Sequence, residues 1–302
     1  MIDFTGSHLR NKTYSGANGN KISIVYNNEI YMLKFPALPT RTNEISYTNS
    51  CVSEYIGCKI FKSVDIPVQD VLLGMYTTKT GKVKTVVACK DFAINGLVLQ
   101  DFASLKNRIV DSERNGYGTD LEEILLTIDE QQMLDRQLLN NRFWDMFIID
   151  ALIGNWDRHN GNWGFLYDSI TDSISLAPVF DCGSCLFPQA DEYMIKETLE
   201  NKGKLNDKVY NRPTSAITIQ GKRINYFDFI SSCSNEDCNL ALRRIYPRID
   251  MNKIEDIVDS VAVISDDYKL FYKTILRARK ERIVDYSFKK LCANSCETSL
   301  FK

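Results

Sequence analysis

Three polar residues in the middle of the chain have the types and the spacing that one particular chemistry requires. Asp157 is followed five positions later by Asn162, and Asp181 comes nineteen positions after that amide, in a Phe-Asp-Cys-Gly turn. Phosphoryl transfer needs a carboxylate that deprotonates the attacking hydroxyl and oxygen ligands that hold Mg²⁺ on the nucleotide phosphates. We therefore predict Asp157 as the base and Asn162 and Asp181 as the metal ligands, with Asp181 also contacting ATP.

The loop that carries the first two of these residues has an alternative interpretation. Asp, Asn and Gly are favoured wherever the backbone turns sharply, so residues 154–164 also fit a polar turn that joins a helix to a strand. The second carboxylate and the N-terminal motifs favour the catalytic interpretation. Within the loop, His159 and Asn160 are predicted to contact ATP, and for His159 a bracing role stays open.

A glycine-rich turn precedes the first long predicted strand. Small residues let backbone N–H groups approach phosphate oxygens, and a lysine at the end of the turn adds positive charge. The residues predicted to cover the ATP phosphates in this way are Gly16, Ala17, Asn18, Gly19, Asn20 and Lys21. A turn of this composition taken alone fits an ordinary loop equally well.

Lys34 lies near the end of the second predicted strand, where nucleotide kinases keep the lysine that pairs with the phosphates. We predict that it takes part in catalysis and in ATP binding. Glu54, on a predicted helix, is its natural ion-pair partner, although Glu44 competes for this role and Glu54 also fits a solvated helix face. Lys90 and Phe92 end the last predicted strand, where their backbone is placed to pair with the adenine.

The first third of the chain has the alternating pattern of strands. Residues 22–26 and 29–35 are β-rich runs joined by Asn27 and Asn28, which predicts a hairpin. Apolar residues at helical spacing predict a helix over residues 44–63, and residues 68–76 and 83–90 predict a second antiparallel pair. We therefore expect residues 1–92 to form a small, mostly antiparallel β-rich lobe with one helix.

The rest of the chain has the pattern of helices. A Thr119–Glu122 capping box predicts a helix over residues 121–128, and Gly154 closes a long predicted helix over 135–153. Later helices are predicted over residues 191–201, 226–232, 236–246, 251–261 and 266–292. The polar residues 106–118 and 201–221 are expected to be mobile surface connections. Residues 93–302 are thus expected to form a larger helical lobe, and the fold class is α+β.

Composition excludes several classes of protein. The 302 residues carry a formal net charge of −2, with a pI near 5.9, so nothing favours direct binding to nucleic acid. Two histidines, His8 and His159, are too few for most zinc hydrolases. No apolar run is long enough to span a membrane or to form a signal peptide, which favours a cytoplasmic protein.

The nine cysteines are an odd number scattered along the chain, which favours reduced thiols in a reducing compartment. Cys182 and Cys185 have the spacing of a redox dithiol, and together with Cys233 and Cys238 they suggest a zinc site as an alternative. We favour buried, inert thiols, because free cysteine packs as a small hydrophobic residue and the second pair has the wrong spacing for zinc.

Together these motifs resemble those of the HipA-like kinases, and within them the cell-translocating kinase A (CtkA) group of bacterial Ser/Thr kinases. The resemblance runs over about residues 10–290. It rests on residues 16–21, 31–36, 53–55, 143–147, 157–162, 180–183 and 244–251. It implies a two-lobed protein-kinase-like fold, ATP and Mg²⁺ as cofactors, a protein substrate with a Ser or Thr acceptor, and autophosphorylation. It also leaves export without a signal peptide open.

The chain departs from this family in two places. Only about 15 residues precede the glycine-rich turn, where HipA toxins carry an extra subdomain, so we do not expect a HipB-like antitoxin partner. The turn itself is one residue longer than the HipA form.

Two alternative functions stay open. A regulatory pseudokinase would bind nucleotide without transfer, and a phosphatidylinositol kinase would use a basic cluster at Arg277, Arg279, Lys280 and Arg282 to face a membrane.

Overall fold

The computed structural model describes residues 1–14, 21–36, 48–110 and 115–294, together with the backbone of the last helix to residue 300. The architecture is α+β, with a mostly antiparallel sheet at the N-terminal end and helices after it, as the sequence predicts. Residues 16–20 of the glycine-rich turn, and Glu44, lie outside the described residues. Within the described part, no helix combines the length and the apolar character that a bilayer crossing requires.

Among the described residues, the N-terminal sheet has six strands in the order β1-β5-β6-β4-β3-β2, of which only the β1–β5 pair is parallel. Its strands are β1 (Ile2–Asp3), β2 (His8–Arg10), β3 (Lys21–Tyr26), β4 (Glu29–Lys34), β5 (Val71–Thr77) and β6 (Val83–Lys90). The predicted hairpin is confirmed as β3–β4. Asn27 and Asn28 both have positive φ, 48° and 62°, because a two-residue turn between twisted strands needs the left-handed conformation that asparagine tolerates. The pairing of β5 with β6 is confirmed as well.

Helix α1 (Ser50–Ser63) begins six residues later than the sequence predicts, after Asn49. It packs against the sheet and also against the C-terminal lobe, so almost every turn of it is buried. Gly57 makes this close contact possible: a Cβ at this position would lie 2.8 Å from the Cβ of Cys182. The helix therefore belongs to the large hydrophobic core that runs through the C-terminal lobe, whereas the far face of the sheet has a small core of its own around Phe4, Ile24 and Leu33.

A second sheet, which sequence reasoning missed, follows the first. Its three antiparallel strands are β7 (Leu97–Asp101), β8 (Gly164–Asp168) and β9 (Ser173–Leu176), in that order. Strand β7 pairs with a strand more than sixty residues away in sequence, and each of the three is short. Such strands have no local signal comparable to a hairpin turn. This sheet holds the polar loop 154–164 from its C-terminal side, because β8 begins at Gly164.

Helices make up most of the C-terminal lobe, and the bounds of α3, α4, α5 and α7 to α9 are close to those predicted, whereas α2 and α6 were not predicted. They are α2 (Phe102–Ile109), α3 (Leu121–Glu130), α4 (Arg136–Ile153), α5 (Glu192–Glu200), α6 (Lys202–Asn206), α7 (Tyr226–Ser232), α8 (Glu236–Ile245), α9 (Met251–Asp259), α10 (Asp266–Arg279) and α11 (Tyr286–Leu300). A 3₁₀ turn at Tyr246–Arg248 follows α8. The predicted helix 266–292 is interrupted by a π-helical turn at Lys280–Asp285. The predicted capping box is wrong in one respect: the Asp120 side chain caps α3, while the Thr119 hydroxyl donates to the Ala216 carbonyl.

The two segments expected to be mobile surface connections contain regular secondary structure among their described residues, 106–110, 115–118 and 201–221. The first begins in the last turn of α2, where Lys106 is fully buried and donates to the Gly118 carbonyl at 2.6 Å and to Glu123. The second contains α6, a π-helical turn at Asp207–Asn211 and a small hairpin of β10 (Thr218–Ile219) and β11 (Lys222–Arg223). Polar composition misled the prediction because these polar side chains bond to backbone carbonyls inside the protein. The backbone of the second segment is also bonded from outside it, because its carbonyls at residues 208, 209 and 212 accept from the buried Arg279.

The cysteine prediction of inert thiols is consistent with the structure. Cys182, Cys185 and Cys238 are buried and Cys233 is half-buried, all as free thiols. Burial raises the pKa of the Cys185 thiol well above its usual value. Among the described residues no group of His, Cys, Asp and Glu side chains is arranged to hold a metal ion, so the zinc alternative has no support.

Candidate active site

The loop that carries Asp157 and Asn162 begins where α4 ends. Gly154 stops this helix in the left-handed conformation, with φ 63° and ψ 47°, and its N–H returns to the Asp150 carbonyl. The loop then runs beneath the N-terminal lobe and re-enters regular structure at β8. Asn155 holds the first turn of the loop, because its amide donates to Asp150 Oδ1 at 2.9 Å and its Oδ1 accepts the Asp157 N–H at 3.1 Å.

Asp157 is held by its backbone, and its half-buried carboxylate lies near Asp181. We call the region bordered by Asp157, Asp181 and Lys34 the cleft. The Asn162 amide donates to the Asp157 carbonyl at 2.8 Å, so the two residues five apart in sequence close a compact turn. That bond uses the Asn162 amide N–H group and leaves the amide oxygen as the group able to bind a cation. Burial raises the pKa of the Asp157 carboxyl above its usual value, against the opposing effect of His159.

Lys34, Glu54 and Asp181 form one ion cluster at the mouth of the cleft. Lys34 Nζ, on β4, lies 2.9 Å from Glu54 Oε2 on α1 and 3.0 Å from Asp181 Oδ1. Glu54 is 1% exposed, and its other oxygen accepts the Cys182 N–H at 3.1 Å. This glutamate therefore joins the sheet, the helix and the loop after Asp181. Glu44, its predicted competitor, lies outside the described residues.

The charges of this cluster control one another. Burial opposes the charge on Lys34, yet the two carboxylates outweigh that effect and raise its pKa above the usual value. Lys34 in turn holds the pKa of Asp181 below its usual range. Lys21 starts β3 directly opposite Lys34, and its pKa is lowered by burial and by the charge of Lys34. Two cations and an ionised carboxylate thus face the cleft together, as polyphosphate binding with a divalent metal requires.

An ion pair that sequence reasoning missed holds the floor of the site. Arg158 Nε donates to Asp150 Oδ2 at 3.0 Å, and both residues are almost fully buried. The same guanidinium donates to the Asn162 carbonyl at 2.9 Å and to the Phe180 carbonyl. One side chain therefore fixes the backbone beside each of the two predicted metal ligands. The available sequence signal was Asp150 itself, a carboxylate in the otherwise apolar end of α4.

Ser184 is a second residue that the sequence did not single out. Its hydroxyl lies 3.5 Å from Asp157 Oδ2, at the outer limit of a hydrogen bond. It is three residues after Asp181 and so belongs to the loop that enters the cleft from the other side. Its carbonyl also accepts the Trp156 N–H at 3.4 Å, which joins the two loops again.

The donor set fits a magnesium ion. Carboxylate and amide oxygens are the ligands this cation prefers, and Asp181 and Asn162 supply one of each. The Arg158 Nη1 atom lies 2.9 Å from the Asn162 carbonyl oxygen and 3.5 Å from that of Asp181, so the two ligand-bearing backbones meet at one guanidinium. Lys34 occupies only one carboxylate oxygen of Asp181, and that side chain is 41% exposed.

Comparison with known proteins agrees with this geometry. Residues 13–264 match the family described as HipA-like C-terminal domain. The chain belongs to the HipA-like family. The resemblance noted from the motifs is thereby confirmed, over a stretch that includes β3, α1 and both loops of the site.

The Ser/Thr-protein kinase CtkA of Helicobacter pylori is 49% identical to this HipA-like chain over 94% of it and 86% of the relative. The crystal structure of a Helicobacter pylori proinflammatory kinase CtkA matches with a TM-score of 0.92 at 47% identity, covering 97% of this chain and 98% of that one. HipA of Shewanella oneidensis, solved with HipB and operator DNA, gives a TM-score of 0.51 at 15% identity over 93% of this chain and 68% of that one. The last match shows the shared fold alone.

Two predicted ATP-binding residues of this HipA-like chain serve the loop itself. Asn160 is fully buried, and its amide donates to the carbonyls of Gly116 and Gly118 at 2.8 Å each. His159 Nδ1 accepts the Gly161 N–H at 3.0 Å. The His159 contact matches the bracing role that the sequence left open for this residue, and the Asn160 contacts join the loop to residues 116 and 118.

Lys90 and Phe92 lie at the junction of the lobes, but much of the Lys90 backbone is already paired. Its N–H donates to the Asp70 carbonyl, its carbonyl accepts from the Gln69 amide, and its side chain pairs with Glu29. Phe92 packs its ring 5.9 Å from that of Phe180. Of the two residues, Phe92 is the one whose position borders the loop that carries Asp181.

Asp91, between these two residues, is a junction group that the sequence did not reveal. It is 6% exposed, and its Oδ2 accepts from Lys12 Nζ at 2.6 Å and from the Tyr14 hydroxyl at 2.8 Å. The residues that lead into the glycine-rich turn are therefore anchored to the lobe junction. This contact spans 77 residues of sequence, and no local pattern announces it.

Proposed function

We propose that this protein is an ATP-dependent Ser/Thr protein kinase. The observation that carries the proposal is the bonding of Lys34 to both Glu54 and Asp181, residues from three distant parts of the chain, beside the Asp157–Asn162 loop. The 49% identity to a Ser/Thr-protein kinase over most of both chains supports it independently. We further propose that the protein uses Mg²⁺ and phosphorylates itself as well as a protein substrate.

In this proposal the acceptor hydroxyl is oriented by Asp157. The hydroxyl oxygen forms a bond to the γ-phosphorus, the bond from that phosphorus to the β,γ-bridging oxygen breaks, and the hydroxyl proton passes to the Asp157 carboxylate. ADP leaves with the bridging oxygen. The raised pKa of Asp157 supports this role, because a carboxylate in a partly buried place is a stronger base than one in water.

The other residues act by holding charge in place. Lys34 and Lys21 would pair with the phosphates, the turn at residues 16–20 would cover them, and Asn162 and Asp181 would hold Mg²⁺. The bound cation supplies neutralisation of the charge on the phosphates. Glu54 keeps Lys34 in position from a buried site, while Arg158 fixes the two ligand-bearing loops. Phosphoryl transfer depends on such positioning more than on covalent chemistry by the protein.

The proposal is tested by Asp157→Ala and Asp157→Asn with labelled ATP and Mg²⁺. We expect transfer of the γ-phosphate to fall by about 10³-fold or more, while ATP binding measured by calorimetry changes little. Asp172→Asn, which changes an exposed aspartate in the β8–β9 turn, is the matched control and should retain wild-type transfer. Wild-type transfer rates in both Asp157 variants would rule out this residue as the base. No transfer by the wild type to itself or to lysate proteins would favour the pseudokinase alternative.

The lipid-kinase alternative loses its main support. The basic cluster on which it rested is engaged inside the described structure: Arg279 is fully buried, Arg277 pairs with Glu255, Lys280 pairs with Asp285, and Arg282 donates to Asn206. These contacts favour the interpretation of a paired helix face over that of a membrane-facing surface. The lobe boundary near residue 92, the cytoplasmic location, and the expected absence of nucleic acid and antitoxin partners stay predictions.

A further inference from the structure

A groove of about 820 Å³ lies in the C-terminal lobe, outside the candidate active site. It is bordered by α3, the first turns of α4 and α8, and the turn between β10 and β11. The proposed phosphotransfer uses none of its residues. Two large apolar side chains of its wall are exposed to solvent, Leu126 at 44% and Ile219 at 43%. Exposed apolar side chains gathered in one concave surface are typical of a binding site.

The rim of the groove is strongly acidic. Asp120, Glu122, Asp129 and Asp237 border it, against a single cation, Arg136. Arg136 is paired with Asp129, so the other three carboxylates are left to set the sign of the charge facing an occupant. An apolar wall with a negative rim is complementary to a segment that carries leucine-like residues between lysines or arginines.

The groove is joined to the candidate active site by direct hydrogen bonds. Thr119, next to Asp120 on the rim, accepts the Thr218 N–H at 2.8 Å, and the Gly118 carbonyl accepts from Asn160 in the catalytic loop. On the other border, Arg223 of β11 donates to the Trp156 carbonyl at 3.2 Å. Residues beside the groove are therefore bonded on two sides to the loop that carries Asp157, at Trp156 and at Asn160.

We propose that this groove binds a basic, leucine-containing segment of the protein substrate and so brings its acceptor hydroxyl to Asp157. The inference rests on the proposed kinase function and names the chemistry of the substrate. The rim carboxylates attract the basic residues over a distance set by the ionic strength, and Leu126 and Ile219 bind the apolar ones.

The test is binding of a fluorescent peptide of lysines and leucines, measured by anisotropy in the absence of ATP. Its counterparts carry glutamate for lysine or serine for leucine. The variants are Glu122→Gln combined with Asp237→Asn, and Leu126→Ser. A matched control is Asp266→Asn combined with Asp267→Asn, which also removes two acidic residues from a first helical turn, but on α10.

We expect each groove variant to weaken binding of the lysine–leucine peptide about tenfold, and the control to stay within about twofold. Binding should weaken with added salt, and both counterpart peptides should bind more weakly than the first. Equal binding by wild type and groove variants overturns the inference. So does a concentration-dependent dimer that the groove variants abolish, because the groove would then hold a second copy of the chain.

A second measurement separates the inference from the kinase function. The same peptide, extended by a serine, is offered with ATP and Mg²⁺, and the KM for the peptide is compared between wild type and Leu126→Ser. A KM that rises about tenfold with unchanged kcat supports substrate docking. Transfer with unchanged KM overturns docking and leaves the kinase proposal standing. Groove-dependent binding with no transfer to any acceptor supports the groove as a peptide site and overturns the kinase proposal.

Discussion

Two groups of ion pairs lie within the candidate site, and they differ in how completely their charges are used. In the floor group, Asp150 is 1% exposed and Arg158 is 5% exposed, and the guanidinium also binds backbone carbonyls of both loops. In the cleft group, Lys34 and Glu54 are largely buried, but the Asp181 side chain is 41% exposed. The floor is closed and internally satisfied, whereas the cleft keeps one carboxylate open to solvent.

This difference indicates that the floor group holds the structure of the site, whereas the cleft group takes part in the reaction. A buried pair with all of its hydrogen bonds made inside the protein fixes geometry, and removal of one partner leaves an uncompensated charge. An exposed carboxylate beside a lysine can exchange that partner for a cation and a phosphate with little rearrangement. We therefore expect changes in the cleft to affect transfer and changes in the floor to affect folding.

The largest effect is expected for Asp181→Asn. The amide cannot supply the negative charge that holds a divalent cation, so transfer of the γ-phosphate should fall by about 10³-fold or more. Thermal unfolding should shift by no more than about 2 °C, because Lys34 keeps Glu54 as its partner. Both quantities are measured on the same preparations. Asp70→Asn is the matched control, since Asp70 pairs with Lys62 on the surface. A fall in unfolding temperature well beyond 2 °C in Asp181→Asn would contradict the expectation that changes in the cleft affect transfer and not folding.

The next effect is on stability, for Arg158→Met. Removal of the guanidinium leaves Asp150 buried without its cation, so the free energy of unfolding should drop by about 3–5 kcal/mol in urea titrations. Replacing both residues by apolar ones of similar volume, Asp150→Leu with Arg158→Met, should recover part of that loss. Arg277→Met removes the pair between the exposed Arg277 and Glu255. It should lower the free energy of unfolding by less than about 1 kcal/mol. If Arg158→Met is as stable as Arg277→Met, the floor pair does not hold the fold.

The sequence was sufficient for elements that carry their own local signal. The β3–β4 hairpin follows from two asparagines between alternating runs, and α4 from its start after Asp135 and its stop at Gly154. It was insufficient where structure depends on distant partners. Strand β7 exists because it pairs with β8. The last turn of α2 was mistaken for a loop because Lys106, a residue typical of surfaces, is buried there and bonds the Gly118 carbonyl.

The same distinction holds for the site. The sequence was sufficient to single out four residues, because an Asp, an Asn and a second Asp at these spacings, after a lysine near a strand end, form a combination that chance seldom produces. These are Asp157, Asn162, Asp181 and Lys34. Arg158 lies in the same loop, and Asp150 in the apolar end of α4 signals a buried charge, but the sequence does not say that Arg158 is its partner and bonds it in place of phosphate or solvent. The burial and the orientation of a side chain depend on contacts with residues distant in sequence, and a local sequence pattern does not reveal those contacts.

A moderate effect is expected for Glu54→Gln. The glutamine is isosteric and can still accept the Cys182 N–H, but it no longer offsets the charge of Lys34. Lys34 then depends on Asp181 alone, the carboxylate that the cation also needs. We expect kcat to fall about tenfold to 100-fold with a small change in unfolding temperature, measured by steady-state kinetics and calorimetry. Activity equal to wild type would show that the Lys34–Glu54 pair is structural, like the floor pair.

The smallest effect concerns the pH dependence and Ser184. Asp157 acts as a base only when ionised, and burial raises its pKa, so activity should decline on acidification at a pH above about 3.9, the ordinary value for aspartate. A hydroxyl that donates to a carboxylate favours its ionised form, so we expect the Ser184 hydroxyl, 3.5 Å from Asp157, to oppose that rise. In Ser184→Ala the acidic limb of the kcat profile should therefore move upward, by about half a pH unit or less because the contact is long. Thr78→Ala, which removes a hydroxyl from the β5–β6 turn, should leave the profile unchanged. A downward shift in Ser184→Ala would mean that the hydroxyl does not stabilise the ionised Asp157, and the cleft would then contain one contact fewer than the geometry indicates.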